Sequence, residues 1–271
     1  MAKRRLITKN RLMTKSKLIE SVVRALDILE LLDAEGEMGI TEMADKLDME
    51  KSTVYRAINT LRARYYVSQD PDTLKYANSY KLFEMGHNVV RNTGIPKMAY
   101  RFMRKLAQGS RGAVNLGVRD GKKVVYIDKI ESDETVKVCM KIGQSIPLHC
   151  TGLGKALLSF MSEREVRGLL GRDPLERFTE KTHGNVEDLL ADLAEIRKRG
   201  YSVDNEEHIM GILCVASPAF NAKGEAIAAI SIASPKMSHN GPGCIEELGQ
   251  AVYEAADGFT KSIGGRRPVY F

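Results

Sequence analysis

The sequence predicts an α+β protein with two domains, an N-terminal winged helix-turn-helix and a C-terminal domain in which helices flank a mainly antiparallel sheet. Three observations support this prediction. The chain has 271 residues, which exceeds the usual size of one domain. Residues 39–64 have the pattern of two short helices around a tight turn. Strand patterns beyond residue 112 are joined by hairpin signals rather than by regular crossover helices.

The first two helices are expected before the tight turn. Ser21 is a typical N-cap for a helix that ends near Asp33. The apolar residues expected to face inward from this helix are Val22, Val23, Leu26, Leu29 and Leu32. Thr41 is expected to cap a second helix that ends near Leu47, and the turn follows at residues 48–50.

The third helix is expected over Lys51–Arg64 and has an unusual charge pattern. It contains four cations and no carboxylate, whereas residues 20–91 as a whole hold 9 cations and 13 acids. An ordinary solvated surface would not predict charge of one sign on this helix, but contact with DNA phosphates would. The apolar residues of its inner face recur at helical spacing and are Val54, Ala57, Ile58 and Leu61.

The polar face of this helix is suited to DNA, because its side chains can donate to base edges and phosphates. The residues expected nearest the bases are Ser52, Thr53, Tyr55 and Arg56. The residues expected at phosphates are Lys51, Arg62, Arg64 and Lys75. Thr41 and Asn59 complete the predicted DNA-binding set.

A hairpin after the third helix makes the predicted unit a winged helix-turn-helix. Residues 65–69 are expected to form one strand, Asp70–Thr73 a turn, and Leu74–Tyr76 the start of the return strand. Residues 20–78 are therefore predicted to be the DNA-binding domain. Because one such unit reads little sequence, we expect at least a homodimer on a near-palindromic operator of double-stranded DNA.

Residues 1–19 are predicted to be a basic arm. They hold seven cations and no acid, which leaves −1 for the rest of a chain whose net charge is +6. Such arms often contact nucleic acid, and a solvated tail is the alternative.

No apolar run reaches the length of a membrane span, and the four cysteines are dispersed without a CxxC motif. We therefore expect a cytoplasmic protein with reduced thiols and no membrane partner.

A linker helix is expected over residues 79–94, and the second domain over 95–265. Helices of this domain are expected at 96–108, 151–160, 163–170, 186–199 and 244–262. Its strands are expected at 113–119, 123–130, 135–141, 211–220 and 225–234. The short connections at Asp120-Gly121 and at residues 221–224 predict two hairpins, which favours an antiparallel sheet.

Five segments resemble the IclR family of bacterial transcriptional regulators, and together they span about residues 20–265. They are KSTVYRAINTL (51–61), YKLFEMG (80–86), IGQSIPLHCTGLGKALL (142–158), GYSVDNEEHIMGILCVASPAF (200–220) and AIAAISIAS (226–234). Within that family the chain is most similar to regulators of sugar-acid catabolism, such as the 2-keto-3-deoxygluconate regulator. Two positions depart from the family pattern. Tyr65 stands where glycine is usual, and Ala233 stands where many members have a second serine.

The resemblance implies a GAF-like or PAS-like C-terminal domain that binds a small effector and modulates a DNA-bound repressor. The pocket residues that it implies are Val138, Ile146, Gly152, Leu153, Asp204, Cys214 and Ser231. A keto-acid or sugar acid is the expected effector, because amides beside Gly152 and Gly154 could hold a carboxylate and Asp204 could accept from hydroxyls. The family also implies homodimers joined through the DNA-binding domains, or homotetramers.

Motifs for catalysis are incomplete in this sequence. His149 and Cys150 are adjacent, and adjacent side chains of a strand point to opposite faces, so the two are not expected to pair. The five histidines form no HExxH or HxxxH pair, and Gly152–Lys155 is too short for a phosphate-binding loop. We therefore predict no enzyme activity, metal or cofactor. Two alternatives stay open: a sugar-acid enzyme with an appended nucleic-acid-binding module, and an N-terminal unit that binds RNA or protein.

Overall fold

The computed structural model describes residues 18–132, 140–171, 174–239 and 241–268. The chain divides into two compact units, residues 1–89 and 90–271. The predicted arm up to residue 17, the pocket residue Val138 and most of the strand predicted at 135–141 lie outside the described residues. Met140 and Lys141, which are described, are not in a strand. Within the described part, none of the helices has the length and apolar character of a transmembrane span.

In its described residues, the first unit contains three helices, a two-stranded hairpin and the start of a fourth helix. The helices are α1 (Glu20–Glu35), α2 (Ile40–Leu47) and α3 (Lys51–Ala63), and the strands are β1 (Val67–Gln69) and β2 (Tyr76–Asn78). Their apolar faces meet in one core, where Ile28, Met43, Val54 and Ile58 are fully buried. Because the apolar residues of α3 recur every three or four positions, this helix buries one face and exposes the other.

The predicted N-caps of the first two helices are wrong. Ile19 rather than Ser21 precedes α1, so Ser21 lies within its first turn. Gly39 rather than Thr41 precedes α2, and the N–H of Gly39 donates to Oε2 of Glu42 across 2.8 Å. The carboxylate of Glu42 therefore reaches back to the helix start, and the Thr41 hydroxyl is not needed there.

The predicted inward face of α1 is wrong in part. Ile28, Leu31 and Leu32 are buried, whereas Val22 and Leu26 are 51% and 52% exposed. The other elements of the unit cover only one face of α1, and the first half of this helix carries apolar residues beyond that face. An apolar periodicity therefore identified the helix, but it did not show which apolar residues the unit itself buries.

Tyr65 ends α3 in the left-handed conformation, with φ of 64°. The N–H of Tyr65 donates to the carbonyl of Arg62, and the N–H of Tyr66 donates to the carbonyl of Leu61, both across 2.9 Å. This pair of hydrogen bonds is a Schellman motif, in which glycine is the favoured residue at the position that Tyr65 occupies. The hairpin strands consequently begin at Val67 and Tyr76, two residues later than predicted.

The described residues of the second unit form a six-stranded antiparallel sheet in the order β5-β4-β3-β8-β7-β6. Its strands are β3 (Ala113–Asp120), β4 (Lys123–Ile130), β5 (Ser145–Pro147), β6 (Ser202–Asn205), β7 (Ile212–Phe220) and β8 (Ala226–Pro235). Both predicted hairpins, β3–β4 and β7–β8, are present. The edge strands β5 and β6 were not predicted, because three or four residues are too few to establish an alternating pattern.

Helices cover both faces of this sheet. The remaining helices are α4 (Tyr80–Thr93), α5 (Ile95–Gln108), α6 (Gly152–Leu158), α7 (Glu163–Leu170), α8 (Val186–Arg199) and α9 (Cys244–Ser262). Residues of α6, α7 and α8 pack on one face with Ala229 and Ala233 of β8, and residues of α5 and α9 pack on the other with Ile230 and Ile232. The α+β prediction, with helices beside a mainly antiparallel sheet, is therefore confirmed.

Candidate functional site

The exposed face of α3 carries most of the predicted DNA-binding residues. Ser52, Tyr55 and Arg56 are exposed, while Thr53 and Asn59 are half-buried. The salt bridges described in the first unit join Arg24 to Glu20 and Lys46 to Glu35, so none of them involves a cation of α3. The positive charges of this helix are therefore directed to solvent and are available to a polyanion.

A side-chain hydrogen bond connects the β1–β2 hairpin, which is the wing of this unit, to α3. The guanidinium of Arg62 donates to Oε1 of Gln69 in β1, and Nε2 of Gln69 donates to the carbonyl of Leu74 across 3.0 Å. Arg62 therefore has a structural role besides the predicted phosphate contact. The other predicted phosphate residues are exposed or half-buried and are Lys51, Arg64 and Lys75. Thr41 is exposed at the start of α2.

A small cavity in the second unit lies at the predicted effector site. Its volume is about 20 Å³, and its lining residues are Tyr126, Met140, Ile146, Thr151, Asp204, His208, Ile209, Ile212, Cys214 and Ala233. Ile146, Asp204 and Cys214 among the predicted residues therefore lie together. A cavity of this volume holds about one water molecule. A ligand of several heavy atoms requires lining side chains to move apart, and Ile209, which is 41% exposed, has space to do so.

The glycines of α6 have a packing role that the sequence analysis did not predict. A Cβ on Gly154 would lie 2.2 Å from the carbonyl oxygen of Leu148, and one on Gly152 would lie 2.9 Å from Sγ of Cys214. The N–H of Gly154 is also occupied, because it donates to Oγ1 of Thr151 across 3.2 Å. The expected open nest of amides for a carboxylate is therefore wrong at Gly154. Leu153 is fully buried in the core beside the sheet.

Ser231 lies behind the cavity rather than in its lining. It is fully buried on β8, and Nδ2 of Asn115 approaches its Oγ at 3.5 Å. Two residues further along the same strand, Ala233 lines the cavity. Because alternate residues of a strand share a face, both project toward α6. Ala233 thus presents a methyl group, which makes this wall of the cavity less polar.

Asp204 is the buried acid of the cavity, with 5% of its surface exposed. Its Oδ1 accepts from the N–H of Glu207 at 2.7 Å and from the N–H of His208 at 3.4 Å. Its Oδ2 has no hydrogen-bonding partner among the residues that the structure describes. Burial and the neighbouring charge of Glu207 raise the pKa of Asp204 to about 7, although both backbone donors and Lys155 oppose that rise.

A buried charge cluster next to Asp204 was missed by sequence reasoning. Lys155 of α6 is 1% exposed, and its Nζ lies 2.5 Å from Oε1 of Glu207 and 2.7 Å from Oδ2 of Asp192. The same ammonium donates to the carbonyl of Val203 across 2.7 Å. The available signal was a single lysine within the apolar run LGKALL, since a buried cation requires buried partners.

The surroundings of Asp192 favour its charged form. Burial opposes ionisation of this carboxyl, but hydrogen bonds and charges from His183, Lys155 and Arg199 outweigh burial and lower its pKa to about 2. His183, Asp192 and Glu207 also have side chains that can ligate metals, and their ligand atoms lie within 4.8 Å of one another. Because Nζ of Lys155 already lies between the two carboxylates and Arg199 also pairs with Asp192, we assign no metal to this cluster.

Burial favours the protonated form of the thiols near the cavity. Burial raises the pKa of Cys150, and burial together with Asp204 raises the pKa of Cys214 to about 12. His149 and Cys150 lie in a turn, which corrects the predicted strand. Nε2 of His149 lies 2.9 Å from the carbonyl oxygen of Glu176, so this ring nitrogen is engaged with the backbone and not with the thiol of Cys150.

A larger groove of about 460 Å³ lies on the opposite face of the sheet, between α5 and α9. Its walls include Phe102, Leu106, Leu248 and Ala251, and none of the predicted effector residues lines it. The smaller cavity agrees better with the predicted effector site, because it contains the buried Asp204 and predicted residues of three separate segments.

Two family profiles match this chain. The profile described as "IclR helix-turn-helix domain" matches residues 21–71, and "Bacterial transcriptional regulator IclR C-terminal" matches residues 87–260. The chain is 38% identical to the HTH-type transcriptional regulator KdgR of Dickeya chrysanthemi over 219 residues, which is 81% of this chain and 72% of that protein. It is 33% identical to the acetate operon repressor of Salmonella typhimurium over 252 residues, which is 92% of each chain.

A solved structure agrees with these matches. The crystal structure of IclR from Thermotoga maritima superposes with a TM-score of 0.75 at 31% identity. The superposition covers 90% of this chain and 99% of that one, so the likeness includes both compact units.

Proposed function

This chain belongs to the IclR family of bacterial transcriptional regulators, and from that premise we propose that it represses genes of sugar-acid catabolism until a keto-acid or sugar acid binds its second unit. The family binds DNA through the helix-turn-helix and senses ligands through the C-terminal domain. The single observation that carries the finer proposal is the cavity beside Asp204. It brings predicted pocket residues from β5, β6 and β7 together.

The exposed face of α3 supports the proposed operator contact. Arg56 lies on the exposed side of the helix, between Ser52 and Asn59, and no described carboxylate neutralises it. A guanidinium can bind a guanine edge through two hydrogen bonds, which gives sequence specificity. Lys51 and Arg64 stand at the ends of α3 and are proposed to bind phosphates, which would position the helix without reading bases.

Exposed apolar residues of the first unit support a proposed homodimer. Leu18, Val22 and Leu26 recur every four residues and are 58%, 51% and 52% exposed. On α4, Tyr80 and Phe83 are 92% and 71% exposed. Patches of this kind are typical of protein–protein contacts. Two copies joined through these helices would present two reading helices, as a near-palindromic operator requires.

The proposed mechanism is a population shift between two arrangements of the protein. DNA favours one arrangement, and a bound effector favours another, so each ligand weakens the other by the same factor. A coupling of about 1–3 kcal/mol corresponds to a change of roughly 5- to 150-fold in operator affinity. We also propose that the second unit has no catalytic role, which is supported by the protonated thiols of Cys150 and Cys214 and by relatives that are named as regulators.

A thermal-shift screen of pyruvate, glyoxylate, gluconate and 2-keto-3-deoxygluconate tests the ligand class. A ligand at 100 times its Kd should add about 2.7 kcal/mol to the free energy of unfolding. The same ligand should release the protein from an operator fragment in a gel-shift titration. Asp204→Ala should retain operator binding and lose the release, and Asp120→Ala, an exposed change at the β3–β4 turn, should behave like the natural chain. Loss of both properties in Asp204→Ala would contradict the site assignment.

A further inference from the structure

The protonation state of Asp204 decides how the cavity can accept an anion. Asp204 is 5% exposed and lines the cavity, and only its Oδ1 is engaged by backbone N–H groups. Within the described residues its Oδ2 is unpartnered. The cavity lining is otherwise mostly apolar, so a carboxylate ligand would lie close to this oxygen with little screening. Two carboxylates at such a distance cannot both stay ionised without a large energetic cost.

Among the residues that the structure describes around Asp204, no cation is without a carboxylate partner. The ammonium of Lys155 is the nearest positive charge, and it is already bound by Glu207 and Asp192 at 2.5 and 2.7 Å. Glu207 itself adds negative potential at Asp204. The titratable groups that face Asp204 from β4, the turn before α6, α6, the loop after β6 and β7 are Tyr126, Cys150, Lys155, Glu207, His208 and Cys214.

We propose that a carboxylate ligand binds this cavity together with one proton, which resides on Oδ2 of Asp204 and is donated in a hydrogen bond to the ligand. The ligand carboxylate accepts the hydrogen bond, and the proton comes from solvent. Because one anion and one proton enter together, the net charge of the pocket does not change. This inference rests on the proposed effector site and names the ionic form in which its ligand is bound. It also revises the expectation that an ionised Asp204 accepts hydrogen bonds from ligand hydroxyls.

The pKa of Asp204 supports proton uptake near neutral pH. Burial and Glu207 raise this pKa to about 7, so the empty pocket gains or loses its proton in the physiological range. Burial shifts the pKa values of four neighbouring groups as well. Burial lowers the pKa of His208 and raises the pKa of Tyr126, Cys150 and Cys214, and all four shifts move away from the interval between pH 7 and pH 8.5.

Calorimetric titration of the full chain at pH 6.0 and pH 8.5 tests the proposal, with pyruvate, glyoxylate, gluconate and 2-keto-3-deoxygluconate as probes. For an acid that binds, Kd should be roughly 30-fold weaker at pH 8.5 than at pH 6.0. Titration in two buffers of different ionisation enthalpy should show close to one proton taken up per site at pH 8.5, and almost none at pH 6.0.

The variant Asp204→Asn separates this proposal from a general effect of pH. Its carbonyl oxygen can accept the same backbone N–H groups, and its amide can donate to the ligand without titrating. The ratio of the two Kd values should fall to about one, whereas the exposed control Asp120→Asn should keep the roughly 30-fold ratio. Loss of ligand binding in a folded Asp204→Asn protein would contradict a donating role.

Two results overturn the inference in different ways. An acid that binds equally well at both pH values, or more tightly at pH 8.5, would show that Asp204 is not the proton carrier, and the proposed function would stand. Absence of binding for all four acids at both pH values would overturn the proposed ligand class and this inference with it.

Discussion

Nζ of Lys155 lies 2.5 Å from Oε1 of Glu207, and both side chains are almost completely buried beside the cavity proposed to bind the effector. Lys155 belongs to α6, whereas Glu207 belongs to the loop that follows β6, three residues after Asp204. This ion pair therefore joins the helix on one side of the cavity to the loop that holds the buried acid. By holding Glu207 in place, the ion pair also holds the backbone N–H of Glu207, which donates a hydrogen bond to Oδ1 of Asp204.

Removal of this buried cation should strongly destabilise the second unit. In Lys155→Met, the carboxylate of Glu207 remains buried without its counter-charge, whereas the partly buried Asp192 keeps Arg199 at 3.5 Å. A loss of about 3–5 kcal/mol in the free energy of unfolding is expected. Urea denaturation measures that loss. The control Lys198→Met removes an exposed lysine paired with Glu195 and should change stability by less than about 0.5 kcal/mol. Equal effects of the two changes would show that the cluster does not stabilise the fold.

Arg56 should contribute to operator specificity rather than to general DNA affinity. Arg56→Ala is expected to weaken operator binding by about 1–3 kcal/mol more than binding to random DNA, because a base contact is lost. Lys51→Ala should weaken both by the same factor, since phosphates occur at every sequence. Gel-shift titrations on both DNAs measure the two ratios, with the exposed Arg164→Ala in α7 as control. An equal loss on both DNAs for Arg56→Ala would refute base reading by this residue.

The left-handed conformation of Tyr65 should make glycine stabilising at this position. Tyr65 has φ of 64° and is 76% exposed, so its replacement removes backbone strain and little packing. Tyr65→Gly is expected to raise the free energy of unfolding of the first unit by up to about 1 kcal/mol. Tyr65→Ala removes the same ring but keeps the Cβ, so it should show no such gain. Thermal or urea denaturation of both variants measures the difference, and an equal stability of both would exclude backbone strain at this residue.

Asp204 should make stability fall as the pH rises from about 4 to about 7. Its folded-state pKa is raised to about 7 by burial and by Glu207, whereas an unfolded aspartate titrates near pH 3.8. The folded state therefore binds more protons than the unfolded state in this interval, and ionisation of Asp204 costs up to roughly 4 kcal/mol. Asp204→Asn should match the natural chain near pH 4 and exceed its stability at pH 7.5. Parallel pH dependence for the two proteins would contradict the assigned pKa.

Local patterns predicted the first unit better than the site of the second. The basic and apolar faces of α3 follow from residues within 13 positions of each other, and the burial of Val54 and Ile58 agrees with that pattern. The exposure of Leu26 could not be predicted from the apolar pattern of α1, because burial of this side chain depends on how much of the helix the other elements cover. At the start of α2, the side chain of Glu42 accepts the hydrogen bond that was expected to involve Thr41, and the sequence offers no signal that decides between these two suitable side chains.

The chemistry of the cavity depends on contacts between distant segments, which the sequence does not display. Lys155 and Glu207 are 52 residues apart, and neither has a neighbouring residue in sequence that indicates the pairing. The glycines at 152 and 154 were interpreted as an anion nest, although the close approach of Cys214 and Leu148 explains them as packing positions. The family resemblance placed Asp204 and Cys214 in one pocket, and only the three-dimensional arrangement shows that the nearest described cation, Lys155, is already bound by two carboxylates.

Selection of genomic DNA fragments by the purified full chain tests the central claim most directly. The account predicts that the protein retains a small set of fragments with a near-palindromic sequence against a large excess of calf-thymus competitor, that Arg56→Ala loses this preference, and that a keto-acid or sugar acid alters the retention. Retention of every fragment in proportion to its length, both with and without these acids, would contradict the account.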